Sequence, residues 1–63
     1  MSQSWPECVG MSPEEAEAYV KERFDGKVHT VPHGSMVTMD HRMDRVRIYL
    51  DANGKVSQPP RPG

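Results

Sequence analysis

Cysteine is almost absent from this chain of 63 residues: Cys8 is the only one, so no disulfide can form within the chain. Small domains often depend on disulfides or metals, because a chain of this size buries only about 60% of its unfolded surface. The fold must therefore stand on packing and hydrogen bonds. The length allows a single domain, residues 1–63.

An excess of one charge is also lacking, since 9 acidic and 8 basic side chains leave a formal net charge of -1. This balance gives no electrostatic reason to expect nucleic acid or a membrane surface as a partner. No apolar run approaches the roughly 20 residues of a transmembrane helix. No signal peptide is recognisable before Trp5, which fits a cytosolic protein or one that is secreted or vacuolar after processing.

A helix start is the clearest local signal, in the sequence Ser-Pro-Glu-Glu at positions 12–15. Ser12 can cap a free backbone N–H, and Pro13 stands where its missing N–H costs nothing. Apolar side chains then recur at helical spacing, which predicts a helix to about Phe24 with a stop near Gly26. The side chains expected on its buried stripe are Ala16, Tyr19, Val20 and Phe24.

Two longer strands and a shorter one are predicted after the helix. Residues 27–31 read as the first, and residues 45–51 as the second, because Val46, Ile48 and Leu50 alternate with more polar neighbours. Asn53-Gly54 then predicts a tight hairpin that returns through a short strand at 55–58. The tail at 59–63 is too rich in proline for a central strand.

These elements predict an α+β fold, in which one helix packs on a small sheet. The predicted core is mainly aliphatic and comprises Trp5, Cys8, Val9, Ala16, Val20, Val28, Val31, Val46, Ile48, Leu50 and Val56. Cys8 is interpreted as a small core residue rather than as a reactive thiol.

A long loop at about residues 34–45 separates the two longer strands. Loops of more than about 12 residues without secondary structure are usually functional or disordered. The apolar side chains of Met36, Val37 and Met39 argue against disorder. We therefore predict a presented binding loop with Met39 at its tip, where a long, unbranched apolar side chain would suit an apolar pocket.

Two arginines follow the loop on one face of the second strand, and two interpretations of them stay open. If the loop folds back over that face, Arg45 and Arg47 can hydrogen-bond Thr38 and Asp40 and brace the loop without a disulfide. Alternatively, the two arginines form only the solvated face of an amphipathic strand, and an exposed methionine needs no function. The spacing alone does not decide between them.

A set of motifs in chain order adds a family resemblance. They are Trp5-Pro6-Glu7, Val9-Gly10, Ser12 with Glu14-Glu15-Ala16, Gly34, Val37-Thr38-Met39, Arg42, Asp44-Arg45-Val46-Arg47, Gln58, Pro60-Arg61 and Gly63. Through them the chain resembles the potato inhibitor I family of serine protease inhibitors, in particular the barley chymotrypsin inhibitor and eglin type. The match covers nearly the whole chain, with about one residue missing around Phe24 to Gly26.

The resemblance implies a mixed sheet, in which an exposed inhibitory loop at about 34–45 joins two parallel strands. It implies a scissile bond between Met39 and Asp40, with Met39 entering the specificity pocket of a subtilisin- or chymotrypsin-like serine endopeptidase. It also implies a set of residues that contact the protease, namely Val37, Thr38, His41 and Arg42. The residues implied to brace the loop are Thr38, Asp40, Arg45, Arg47 and Gly63.

By this interpretation the protein is a monomeric inhibitor with a substrate-like mechanism, not an enzyme, and it needs no cofactor. A metal site at His29, His33 and His41 is not expected, because their spacing matches no tight metal motif. Catalysis by Ser35, His33 and Asp40 is not expected either, since so small a core offers no cradle for a substrate. The alternative that we retain is a non-inhibitory interaction module on the same scaffold.

Overall fold

The structure is a computed structural model that describes residues 3–38 and 42–63. Its elements in chain order are a short 3-10 helix (Pro6–Cys8), helix α1 (Pro13–Lys21) and strands β1 (Lys27–Val31), β2 (Arg45–Tyr49) and β3 (Arg61–Pro62). The strands form one mixed sheet in the order β1-β2-β3, and α1 lies against β1 and β2. The predicted α+β class is therefore confirmed.

Helix α1 begins as predicted but ends earlier. The hydroxyl of Ser12 accepts a hydrogen bond from the backbone N–H of Glu15 at 3.2 Å. The helix was expected to reach Phe24, but it ends at Lys21. The next turn is tightened by a bond from the Arg23 N–H to the Val20 carbonyl, 2.9 Å long. No helix in the described part of the chain has the length and apolar character needed to cross a membrane.

Packing of an aromatic side chain accompanies this early end. Phe24 has left the helix, and its ring meets that of Trp5 edge-on, with the centroids 6.1 Å apart. Trp5 itself is buried in the core. The chain leaves the helix before Phe24, so the Phe24 ring packs on Trp5 from outside the helix.

Strands β1 and β2 run parallel, from Lys27 opposite Arg45 to Val31 opposite Tyr49. Two parallel strands cannot be joined by a tight turn, so residues 32–44 form the connection between them. In β2 the predicted alternation is confirmed, since Val46 is buried between the partly exposed Arg45 and Arg47. The arginines thus lie on the face opposite the core.

The third strand is not where it was predicted. Residues 55–58 provide only one bridge, from Val56 to Leu50, and β2 ends at Tyr49. The backbone of Val56 is hydrogen-bonded to the N-terminal segment. Its N–H donates to the carbonyl of Met11 at 3.0 Å, and its carbonyl accepts from the N–H of Gly10 at 2.9 Å. The place beside β2 is taken by β3, whose proline is tolerated because the strand lies at the edge of the sheet.

A turn is present at the predicted place, but Asn53 and Gly54 are not its central pair, since the tight Asn-Gly turn needs a positive φ at both residues and Asn53 has none. The Asp51 side chain accepts hydrogen bonds from the backbone N–H groups of Asn53 and Lys55, at 2.9 and 3.0 Å. Gly54 has a φ of 78°, which favours glycine, and its N–H donates to the Asp51 carbonyl at 3.0 Å. This turn brings Val56 back against Leu50.

The core agrees with most of the predicted set. Its buried apolar residues are Trp5, Cys8, Ala16, Val20, Val31, Val46, Ile48 and Val56. Val28 and Leu50 are only partly buried, and the prediction for Val9 was wrong, because it is 48% exposed where the chain leaves the 3-10 helix. Pro60 was not among the predicted core residues, but it is fully buried, and its carbonyl accepts a hydrogen bond from the backbone N–H of Trp5 at 3.0 Å.

Cys8 is confirmed as a core residue and is fully buried. Burial raises the pKa of its thiol, and the negative charge of Glu7 raises that pKa further. A raised pKa keeps the sulfur protonated, whereas the thiolate is the reactive form. Cys8 therefore acts in this fold as a small apolar side chain.

A polar contact on the surface joins the N-terminal segment to α1. The hydroxyl of Tyr19 donates a hydrogen bond to the carboxylate of Glu7, and the Arg23 guanidinium lies 3.6 Å from the centre of the Tyr19 ring. The hydrogen bond from Tyr19 lowers the pKa of Glu7 most, and a bond from the backbone of Glu7 itself lowers it further. The same bond to Glu7 raises the pKa of Tyr19.

Replacing Tyr19 by phenylalanine should give a destabilisation that depends on pH. The folded-state pKa of Glu7 is below its ordinary 4.5, so this bond stabilises the fold above that value and the contribution is lost as the pH falls. The pKa of Tyr19 is above its ordinary 10.0, so the contribution is also lost as the pH rises through the folded-state value.

Urea unfolding of the parent and of Tyr19→Phe across this pH range measures the difference. We expect the two free energies of unfolding to differ most between pH 4.5 and pH 10.0, the ordinary pKa values of the two groups, and to converge as the pH falls below or rises above this range. A difference that stays constant with pH would show that the hydroxyl does not act through Glu7.

Candidate functional site

The loop leaves β1 through a tight turn. The backbone N–H of Ser35 donates to the carbonyl of Pro32 at 3.1 Å, and Gly34, at the third position of this turn, has a φ of 80°. A type II turn needs a positive φ at that position, which explains the glycine. The turn separates the following residues from the path of β1.

Residues 35–38 then form an exposed segment without helix or strand. Met36 has 96% of its surface exposed and Val37 has 37%. The Met36 side chain therefore has no packing role in the described fold. The segment therefore presents apolar side chains to solvent, as a binding loop does.

Arg47 of β2 is hydrogen-bonded to Thr38 of this segment. Its Nη1 donates to the backbone carbonyl of Thr38 at 3.0 Å, and its Nη2 donates to the Thr38 hydroxyl at 2.9 Å. One guanidinium thus binds both the backbone and the side chain of one loop residue. Bonds from a charged donor are stronger than neutral ones, and the planar fork fixes their direction.

Arg45 makes a different contact, with the last residue of the chain. The backbone N–H of Gly63 donates to the Arg45 carbonyl at 2.9 Å, and the Arg45 Nη2 lies 3.4 Å from the Gly63 carbonyl oxygen. The second distance is at the long end for a hydrogen bond, so the backbone bond is the stronger one. Together they fasten the segment after β3 to the start of β2.

The second limb of the loop returns at Asp44, immediately before β2. The carbonyl of Asp44 accepts a hydrogen bond from the backbone N–H of Lys27, at 2.9 Å. Gly26 lies against the same carbonyl, so closely that a Cβ at this position would overlap it. Gly26 was predicted only as a helix stop, and the close approach of the Asp44 backbone gives a second reason for a glycine at this position.

The predicted site residues fall into two groups. Thr38 is brought together with Arg47, and Gly63 with Arg45, while Val37 and Arg42 are exposed on the two limbs. The other predicted residues, Met39, Asp40 and His41, lie outside the described residues. The predicted scissile bond and the contacts predicted for Asp40 therefore also lie outside the described residues.

The residues considered for catalysis and for metal binding lie on the loop and on β1. His33 and Ser35 are exposed in and after the turn, and Asp40 and His41 lie outside the described residues. His29 is exposed on β1. Across residues 3–38 and 42–63, no group of three or more histidine, cysteine, aspartate or glutamate side chains is placed to hold a metal ion.

Known proteins are similar to this chain in sequence and in architecture. A model of the potato inhibitor I family matches residues 1–63. The chain is 46% identical over 57 residues to subtilisin inhibitor CLSI-I of Canavalia lineata, covering 90% of this chain and 88% of that protein. It is 43% identical over 61 residues to a chymotrypsin inhibitor of Lumbricus terrestris, covering 95% and 71%.

A solved structure agrees with these sequence relationships. The crystal structure of bitter gourd trypsin inhibitor matches the fold with a TM-score of 0.89 and 32% sequence identity. The match covers 100% of this chain and 96% of that one.

Removing the Arg47 side chain should loosen the loop while leaving the fold intact. In Arg47→Ala both bonds to Thr38 are lost, and a net contribution of about 1.4 kcal/mol corresponds to roughly tenfold more open loop. Limited proteolysis followed by mass spectrometry should therefore show cuts within residues 34–45 appearing about ten times faster.

Lys55→Ala is the matched control, because it removes a positive charge from an exposed position in the turn that follows β2. The free energy of unfolding should change little in Lys55→Ala, and in Arg47→Ala it should fall by no more than the roughly 1.4 kcal/mol lost with the two bonds. Equal cleavage rates in Arg47→Ala, Lys55→Ala and the parent would show that the bonds to Thr38 do not restrain the loop.

Proposed function

The chain belongs to the potato inhibitor I family of protease inhibitors, and we propose that it inhibits a serine endopeptidase by presenting residues 34–45 as a substrate-like loop. The observation that carries the proposal is the pair of hydrogen bonds from Arg47 to Thr38. They hold an exposed, apolar segment that the fold otherwise leaves without regular structure. The relatives named as subtilisin and chymotrypsin inhibitors support the same class of partner.

Preorganisation is the physical basis of the proposed inhibition. A flexible peptide loses backbone freedom when it binds a protease, at a cost of roughly 1–2 kcal/mol per residue fixed. A loop that is already held at Thr38 and again at Asp44 has lost part of that freedom before it meets the enzyme. More of the contact energy then remains as affinity.

We place the reactive bond between Met39 and Asp40. Attack on the Met39 carbonyl would release an amine on the limb that runs from Asp40 into β2. That limb is tied to β1 through the Asp44 carbonyl, so the amine stays beside the acyl-enzyme at a high effective concentration. Religation then competes with hydrolysis, and the inhibitor is turned over slowly.

Met39 is proposed to set the specificity. Its apolar side chain fits the pockets of chymotrypsin- and subtilisin-like enzymes, whereas trypsin has an aspartate in its pocket and selects lysine or arginine. Val37, Thr38, His41 and Arg42 would contact the enzyme on either side of the reactive bond. The carboxylate of Asp40 would add to the brace through Arg45 or Arg47. The inhibitor is proposed to act as a monomer.

Titration of subtilisin, chymotrypsin and trypsin with the protein tests this function. We expect stoichiometric loss of subtilisin or chymotrypsin activity, with slow cleavage at Met39–Asp40 detected by mass spectrometry. Rapid cleavage across the loop, or full residual activity of all three enzymes, would contradict the proposal. The scaffold would then serve as an interaction module.

Changing Met39 to lysine should redirect the inhibitor to trypsin. A lysine side chain would pair with the aspartate in the pocket of trypsin, and it would be poorly accepted by an apolar pocket. We expect the inhibition constant for trypsin to fall by at least about 100-fold, which corresponds to about 2.8 kcal/mol.

Met36→Lys is the matched control, since it makes the same change three positions earlier in the sequence, at a side chain that is 96% exposed. It should leave trypsin inhibition almost unchanged. Trypsin inhibition gained by Met36→Lys, and not by Met39→Lys, would place the reactive bond elsewhere in the loop.

A further inference from the structure

We propose that Gly26, outside the inhibitory loop, is a positioning residue for inhibition. Because Gly26 has no side chain, the backbone of Asp44 can pack directly against it. This contact would orient the second limb of the loop, which would hold the leaving amine. This inference rests on the function proposed above. It concerns the balance between religation and hydrolysis after the loop has been attacked.

The requirement for glycine at this position is one of space. The glycines with positive φ in the described chain are Gly10, Gly34, Gly54 and Gly63, and Gly26 is not among them. A Cβ built on Gly26 would overlap the carbonyl oxygen of Asp44 and come within 2.8 Å of its carbonyl carbon. It would also overlap one edge of the Phe24 ring.

Neither neighbour can move aside without consequence. The Asp44 carbonyl is bonded to the N–H of Lys27 at 2.9 Å, and Lys27 is paired with Arg45 at the start of the two parallel strands. The Phe24 ring packs on the buried Trp5. A methyl group at Gly26 would therefore displace the Asp44 backbone or disturb the core beneath Phe24.

Displacement of Asp44 would act on one limb of the loop only. The first limb is held at Thr38 by Arg47, on the other side of the proposed reactive bond. Binding of the apolar residues before that bond should be affected less than the placement of the amine after it. Since religation requires that amine in position, a change at Gly26 should raise the rate of hydrolysis more than it weakens the first encounter.

Gly26→Ala is therefore compared with Gly54→Ala in their inhibition of subtilisin. Gly54 lies in the turn after β2 with a φ of 78° and with open space around its Cβ position, so alanine there strains the backbone without crowding the loop. Three quantities are measured for the parent and both variants: the free energy of unfolding, the inhibition constant, and the rate of cleavage at Met39–Asp40 with enzyme and inhibitor in complex.

We expect Gly26→Ala to be cleaved at least ten times faster than the parent, while Gly54→Ala stays within about twofold even though its unfolding free energy falls. Equal acceleration in both variants would overturn the inference, because global stability would then explain the effect. Cleavage of Gly26→Ala at the parental rate would overturn it too. A parent that does not inhibit any serine protease would instead refute the underlying function.

A Phe24→Leu background keeps the test decisive if Gly26→Ala does not fold. Leucine lacks the ring edge that the added methyl group would meet, while the overlap with the Asp44 carbonyl stays. Phe24→Leu/Gly26→Ala should be cleaved faster than Phe24→Leu alone. Equal rates for this pair would show that the seat of Asp44 on Gly26 has no part in inhibition.

Discussion

Two hydrogen bonds from the Arg47 guanidinium to Thr38 attach the first limb of the exposed loop to the sheet. The chain has one cysteine and therefore no internal disulfide with which to close the loop covalently. Residues 35–38 make no strand pairing, and their side chains are exposed. The energy that restrains this segment must come from contacts of this kind, in which a charged donor engages two acceptors at once.

The sheet makes such a contact possible and also makes it necessary. Because β1 and β2 are parallel, the connection between them has to run back along the length of the sheet. The alternation in β2 buries Val46 and Ile48 completely and turns Arg47 to the other face. A guanidinium anchored by two buried neighbours is a firm point from which to hold a loop.

The two limbs of the loop are each bonded to the sheet, through different chemistry. Its first limb is held by side-chain bonds from Arg47, and its second by the backbone bond between Lys27 and Asp44 with Gly26 packed against it. The second attachment leads through Phe24 to Trp5 and the core. The contacts at Asp44 are therefore continuous with the small hydrophobic core.

Local chemistry explains which parts of the fold could be predicted from the sequence. The start of α1 depends on Ser12 and its neighbours, and the alternation of β2 on adjacent side chains, and both predictions are confirmed. The end of α1, the position of β3 and the exposure of Val9 depend on contacts between distant residues. A local pattern contains no information about those contacts.

The candidate site shows the same division. The spacing placed Arg45 and Arg47 on one face but left open whether they brace the loop or only meet solvent. The structure shows Arg47 bonded to Thr38 and Arg45 in contact with Gly63, whereas the effect of these contacts on a protease remains our proposal. The close contact of Gly26 with Asp44 could not be predicted locally, because the Asp44 backbone belongs to a distant part of the chain.

Backbone order in the free inhibitor tests the central claim most directly, because the claim is that the loop is held before any protease arrives. Amide ¹⁵N relaxation should give order parameters near 0.8 for residues 35–38 in the parent and below about 0.6 in Arg47→Ala, with β1 and β2 unchanged in both. Equally high order parameters in the two proteins, or low values already in the parent, would contradict the account.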